Sequence, residues 1–323
     1  MKVVFLAAFL LSPMLLTAES PVVSEAPIKY RWVSGWGVNP DGTPLPQMHG
    51  DVVADKAGNV YASVTGMNSI LVFGPEGKVK RAFGKHHQGI HGMILREEGD
   101  KEFIYAAGGT KVSKFDLEGN VEWTIEGAPA VEGLYPKGAK FRVTSVEVGP
   151  DGRIYVADGY GSKLVHIYSP DRKYLKTFGG QGEEAGKFAT GHGITLDPRG
   201  EFVTLLVADR DNRRIQRFDL DGIFIEVVAE NLRRPCDVSV FGPYLALPEI
   251  EGRVSLLDRA GKVAAHIGHN PDESQWANPK VPTSDWKDGF YLTPHGSGFD
   301  ADGNLYIVAW NQTGRISKLE RVK

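Results

Sequence analysis

One unit recurs along this chain and limits what it can fold into. It is a short apolar run, an Asp/Gly turn, a second apolar run, a loop, a third run, another turn and a fourth run ending near Phe-Gly. The third copy shows it most plainly: Val146-Glu147-Val148, the turn Pro150-Asp151-Gly152, Ile154-Tyr155-Val156-Ala157-Asp158, Leu164-Val165-His166-Ile167-Tyr168, then Ser169-Pro170-Asp171 and Tyr174-Leu175 into Phe178-Gly179. The fourth repeats it through Ile194-Thr195-Leu196-Asp197, Leu205-Leu206-Val207-Ala208-Asp209 and Arg214-Ile215-Gln216-Arg217-Phe218. The first runs from His49 to Phe83-Gly84, and the second, fifth and sixth start at His91, Cys236 and His295. A period of roughly 40–50 residues with four short strands per copy is the mark of propeller blades. A β-sandwich does not predict such a repeat. The chain is therefore expected to be all-β, a six-bladed β-propeller.

The sixth copy stops after Ile316-Ser317-Lys318-Leu319 without a last strand, and the strand-like residues 29–36 (KYRWVSGW) have no copy of their own. The N-terminal strand is expected to complete blade six and close the ring, which removes the free edges of an open sheet. The preceding residues read differently. Met1-Lys2, an apolar run from Val3 to Leu16 and Thr17-Ala18 have the layout of a signal peptide over residues 1–18. Residues 19–27, rich in Pro and Glu, read as a flexible leader, and the propeller is expected over 28–323. The single cysteine, Cys236, leaves no internal disulfide. Export without disulfides suits a periplasmic or secreted protein. A net charge of −3 gives no electrostatic case for nucleic acid. No membrane association is expected after signal cleavage, and the chain is expected to act as a monomer.

Four histidines are each followed by glycine: His49, His91, His192 and His295. They stand where innermost strands begin. Because strands alternate in direction, the innermost strand of a blade starts on the face where the second strand ends. Tyr160 (after Asp158) and Arg210 (after Asp209) stand at second-strand ends, so all of these residues are expected at one mouth of the ring. The six strand starts read His49, His91, Thr144, His192, Cys236 and His295. His91, His192 and His295 then fall on alternate blades, with threefold geometry. Three neutral imidazoles with an open fourth position make a catalytic zinc arrangement. His49 is left as a fourth ligand, a donor behind the ligands or a channel-wall residue. Of the other histidines, His86 and His87 are expected to be solvated near the mouth, His166 to pack, and His266 and His269 to border a loop. That loop, Gly268 to Leu292, holds Trp276, Trp286, Phe290 and Tyr291 and reads as a lid, a substrate wall or a packed excursion.

The phrase VADRDNRRIQRF (207–218) resembles the NHL repeat. Together with VADGYGSKLVHIYSPDRKYLKTFG (156–179), GKFATGHGITL (186–196) and the PHG at 294–296, the chain resembles the peptidyl-α-hydroxyglycine α-amidating lyases. That resemblance implies a six-bladed propeller with zinc on His91, His192 and His295, a catalytic Tyr160 and a substrate-orienting Arg210. It implies cleavage of an α-hydroxyglycine C–N bond to an amide and glyoxylate, with a small-molecule or peptide substrate at the ring mouth. Two positions depart from the family. Tyr61 to Gly66 lacks the family's blade-one arginine, for which Arg142, Arg233 and Arg234 are candidate replacements. Gly296 stands where the family has the aspartate that binds a structural calcium, which leaves that calcium without its side-chain ligand. A non-enzymatic NHL propeller that binds protein or glycan, and an iron or copper enzyme with His49 as a fourth ligand, are the alternatives.

Overall fold

The structure is a computed structural model that describes residues 21–23, 28–135 and 137–322. The expected signal peptide, 1–18, lies outside the described residues, and so does most of the expected leader. Six four-stranded sheets follow one another around a ring. Their strands span 52–83, 90–126, 145–179, 191–229, 239–267 and 294–322, the last sheet taking Lys29–Trp32 as its outermost strand. Within each blade the strands are antiparallel, and in blades one to five they are in sequence order from the innermost outward. Among the described residues no helix is long and apolar enough to cross a membrane.

The sequence pattern of each strand follows from its place in the blade. A second strand is covered on both faces by neighbouring blades, so it is apolar without alternation; Ile154–Asp158 is buried throughout. An outermost strand is covered on one face at most, and Phe224–Ala229 leaves Ile225 and Val227 exposed. The core is accordingly split into six clusters at the seams between blades. Tyr155, Ala157, Val165 and Ile167 of blade three, for example, meet Ile194, Leu205, Val207 and Phe218 of blade four. The turns between inner strands are set by aspartates. Asp55 accepts from the Asn59 N–H at 2.8 Å, across a Gly58 with φ +80°.

Ring closure is as expected, with a shorter strand. Lys29–Trp32 pairs antiparallel with Arg315–Val322, and Tyr30 and Trp32 are buried in the seam between blades five and six. The strand stops short of Trp36 because the chain turns through Gly35 (φ +75°) and Gly37 (φ +84°). Trp36 packs instead between Phe73 and Tyr306, at 5.5 and 5.1 Å between ring centroids. Residues 21–23, within the stretch expected to be a flexible leader, run beside the closing strand. The Val23 N–H donates to the Tyr30 carbonyl and the Trp32 N–H to that of Pro21, both at 2.9 Å.

Candidate metal centre

His91, His192 and His295 occupy the same local feature on blades two, four and six. Each lies at a β-bulge in the innermost strand, where the pairing register slips: Ile90/Gly92, Gly191/Ile194 and Pro294/Gly296. A bulge re-aims a side chain out of the regular pleat, and here it turns three imidazoles toward the axis. Their centroids stand 4.6 Å (His91–His192), 4.8 Å (His91–His295) and 4.9 Å (His192–His295) apart. Three imidazoles on one zinc, at Zn–N of about 2.0–2.1 Å and tetrahedral angles, would have centroids about 5 Å apart.

The intervening blades fix the rings. Nδ1 of His91, His192 and His295 donates to the carbonyl of Thr144 (2.8 Å), Cys236 (2.6 Å) and Gly50 (2.8 Å) respectively. A carbonyl only accepts, so the proton is on Nδ1 and each Nε2 presents a bare lone pair. An imidazole held this way by its far nitrogen is in the usual state of a metal-ligating histidine. Burial pushes the basicity of all three rings down, His91 to about 3 and the other two well below the ordinary histidine value, so they are neutral at pH 7.

Glycine follows each of these histidines because the neighbouring strand passes too close for a side chain. A Cβ would come within 2.6 Å of the Thr144 oxygen at Gly92, 2.8 Å of Asp237 Cα at Gly193 and 2.3 Å of the Gly50 oxygen at Gly296. The backbone N–H two residues after each histidine is held from the other side. Met93 donates to Asp51 (3.3 Å), Ile194 to Ser145 (3.3 Å) and Ser297 to Asp237 (3.1 Å). Asp51 and Asp237 were missed in the sequence. Their only signal was an acidic residue directly after His49-Gly50 and after Cys236. Burial, and for Asp51 the charge of Asp237, push both carboxyls above the usual range.

These contacts also correct the register of blade one. The position equivalent to Thr144 and Cys236 is Gly50, so His49 lies one residue before it. It remains beside the cluster. Its ring is 5.0 Å from His91, 4.7 Å from His295 and 5.2 Å from Trp310, and it is half-buried. Burial, then the Arg210 charge, lower its pKa to about 4. Donor atoms of His49, His91 and His295 lie within 4.8 Å of one another, and so do those of His192, Cys236 and His295.

Tyr160 and Arg210 come to the same place. The Tyr160 hydroxyl is 3.1 Å from His91 Nε2 and 2.9 Å from His192 Nε2, and Arg210 donates to it at 3.0 Å. That hydroxyl has one proton for two lone pairs, and the buried His295 Nε2 has no partner. Three bare lone pairs on neighbouring rings thus have a single proton between them, a donor set that fits a cation. Burial pushes the Tyr160 hydroxyl above its ordinary value, while the Arg210 charge pulls it down.

The other candidates are distributed around this centre. His87 is buried rather than solvated: the loop folds back over blade two and its Nε2 donates to the Gly108 carbonyl at 3.0 Å. His86 is exposed and His166 is fully buried. The 268–292 loop lies on the mouth face. Ala277 N–H donates to the Ile250 carbonyl (3.1 Å) and Gln312 N–H to that of Pro279 (3.0 Å). It is braced by its own rings, with Trp276 Nε1 donating to the Asn270 carbonyl and Trp286 Nε1 to that of Val281.

No protein-family model matches the chain. It is 30% identical over 210 residues to NHL repeat-containing protein 3 of Homo sapiens, a match that covers 60% of this chain and 58% of that protein. It is 32% identical over 166 residues to peptidyl-alpha-hydroxyglycine alpha-amidating lyase 1 of Drosophila melanogaster, covering 47% of this chain and 29% of that one. The chain thus spans little more than half of the first relative and under a third of the second. Among solved structures it superimposes on a gluconolactonase from Xanthomonas campestris with a TM-score of 0.63 and 14% identity, covering 95% of this chain and 96% of that one. At that identity the likeness is one of fold. The chain is a six-bladed β-propeller with NHL-repeat proteins and amidating lyases among its relatives.

Proposed function

We propose that this protein is an exported, metal-dependent lyase of the peptidyl-α-hydroxyglycine amidating type, or a relative with an altered substrate. The observation that carries this reading is the donor set at the axis: three neutral imidazoles with bare lone pairs and one shared proton. His91, His192 and His295 would hold the metal, with zinc the best match to an all-imidazole site. When bound, such a metal supplies Lewis acidity toward a substrate oxygen and positive charge inside the cluster.

The chain's own residues have separate tasks. Arg210 orients the substrate and, through its hydrogen bond to the Tyr160 oxygen, favours the phenolate. Tyr160 takes the proton of the substrate hydroxyl. As the C–N bond breaks, the hydroxyl carbon becomes the aldehyde carbon of glyoxylate, and the departing amide nitrogen receives a proton. Return of that proton from Tyr160 balances the step. The bulged strands keep the three rings in place throughout, so no rearrangement of ligands is needed.

A second reading rests on His49. Its nitrogen lies within 4.8 Å of those of His91 and His295, and a four-histidine site would suit iron or copper. Elemental analysis of the purified protein decides between them. About one equivalent of zinc supports the lyase, and iron or copper in its place supports the second reading. Less than about half an equivalent of any transition metal, with no rebinding by stripped protein, removes both. Glyoxylate release from an α-hydroxyglycine peptide then tests the substrate, and a Tyr160→Phe protein with full turnover would take the tyrosine out of the mechanism.

A further inference from the structure

Three arginines near the mouth were candidates to replace the arginine absent from blade one, and the structure separates them. Arg234 is committed: its Nε and terminal nitrogen both donate to Asp211, at 3.0 and 2.7 Å. Arg233, whose buried Nη1 also has no hydrogen-bond partner, lies with its guanidinium 3.7 Å from the centroid of Trp276 rather than over Tyr160. Arg142 is different. Its backbone is fixed, with its N–H donating to Asp158 at 2.6 Å and its carbonyl accepting from the Tyr160 N–H at 3.2 Å. Its exposed guanidinium has neither a hydrogen bond nor an ion pair with any described residue, and its carbon stands 5.8 Å from the centroid of the Tyr160 ring. The guanidinium carbon of Arg210 is 5.3 Å from the same centroid.

Charge around Tyr160 is correspondingly unbalanced. Asp211 is shared by Arg210 and Arg234, and its second oxygen also accepts from Thr190 at 2.6 Å. Arg210 keeps a buried Nε with no partner. No carboxylate among the described residues pairs with Arg142. Two guanidiniums therefore face one tyrosine ring beside three bare imidazole lone pairs, with hydrogen-bonding capacity left over on both.

We propose that Arg142 is a specificity-determining residue that, together with Arg210, takes the carboxylate of a small anionic substrate at the Tyr160 side of the mouth. This deepens the lyase reading and rests on its placement of the reaction at Tyr160. The anion is held from blades three and four, so blade one needs no arginine. A planar guanidinium suits a carboxylate because its parallel N–H groups match the two oxygens.

The test is calorimetric binding of glycolate to the protein as purified, with glycolamide as its uncharged counterpart. Wild type is expected to prefer glycolate. Arg142→Gln should weaken glycolate binding on the order of 10-fold and leave glycolamide unchanged, and Arg142→Lys should recover part of the loss. The thermal midpoint should not move, because the side chain bonds to no other residue. Glycolate binding within twofold of wild type in Arg142→Gln overturns the proposal. So does equal affinity of wild type for glycolate and glycolamide, or no binding of either. None of these outcomes touches the metal content or the glyoxylate assay, on which the lyase reading stands or falls separately.

Discussion

Replacing Gly296 by alanine should damage both the fold and the proposed metal centre, by an amount that can be worked from the strand spacing. The added carbon would stand 2.3 Å from the Gly50 oxygen and 2.6 Å from Asp51 Cα. Ordinary contact is about 3.5 Å, so the blade-one strand has to retreat by about 1 Å. Both obstructing atoms are backbone, so no rotamer change relieves the clash. The same Gly50 oxygen accepts the His295 Nδ1 hydrogen bond at 2.8 Å, and a retreat of that size takes it past about 3.5 Å, outside bonding range. Overpacking costs about 1–3 kcal/mol, and an unpaired buried donor about as much again. The expected loss is thus about 2–6 kcal/mol in urea unfolding of metal-stripped protein. On the proposed zinc site, loss of the bond that orients His295 should also weaken zinc binding by about 10- to 100-fold, read by competition with a chelator. By nearest approach, Gly92→Ala (2.6 Å) and Gly193→Ala (2.8 Å) should be milder, in that order. Gly200→Ala, whose carbon meets nothing nearer than 3.4 Å, is the control. If Gly296→Ala unfolds within about 0.5 kcal/mol of wild type and binds zinc as tightly, the close strand approach is not what holds His295.

Three further outcomes are expected. His166 is fully buried, with a pKa lowered to about 4 by desolvation. The unfolded chain therefore binds more protons between about pH 6.5 and pH 4, and stability should fall by roughly 2–3 kcal/mol as pH drops through that window; His166→Gln should flatten this part of the urea-unfolding profile, and an unchanged slope would count against it. Deleting the chain through Trp32 removes Tyr30 and Trp32 from the seam between blades five and six and exposes the Arg315–Val322 edge. Each lost aromatic costs about 3–5 kcal/mol, so the truncated protein should aggregate or fail to give a cooperative melt, whereas a chain beginning at Ile28 should melt cooperatively. Cys236 is 1% exposed, so a thiol reagent should label it only as fast as the protein opens; rapid labelling of native protein would contradict its burial.

Much of the fold was legible because its determinants are local. The Asp/Gly turn at Asp55–Asn59 and the apolar run at Ile154–Asp158 are complete within a few residues. Counting such units yields the blades and assigns the unpaired N-terminal strand to the last of them. Part of the site was legible by the same counting, which sets His91, His192 and His295 on alternate blades and Tyr160 and Arg210 at the same mouth. The errors came where a single residue of register or a single contact matters. The bulges add a residue to the even blades, and nothing in the local pattern reports that the match to Thr144 and Cys236 is Gly50 rather than His49. The burial of His87 depends on the Gly108 carbonyl, and the freedom of Arg142 on where Asp211 and Trp276 lie.

The sequence by itself determined the repeat, the closure of the ring and the identity of the three imidazoles, because turn chemistry and strand periodicity act over a few residues. Only the tertiary structure decided which nitrogen of each ring carries its proton, why glycine must follow each histidine and which further arginine faces Tyr160. Those depend on distances between blades, as when Gly50 holds His295 from 245 residues away in the chain.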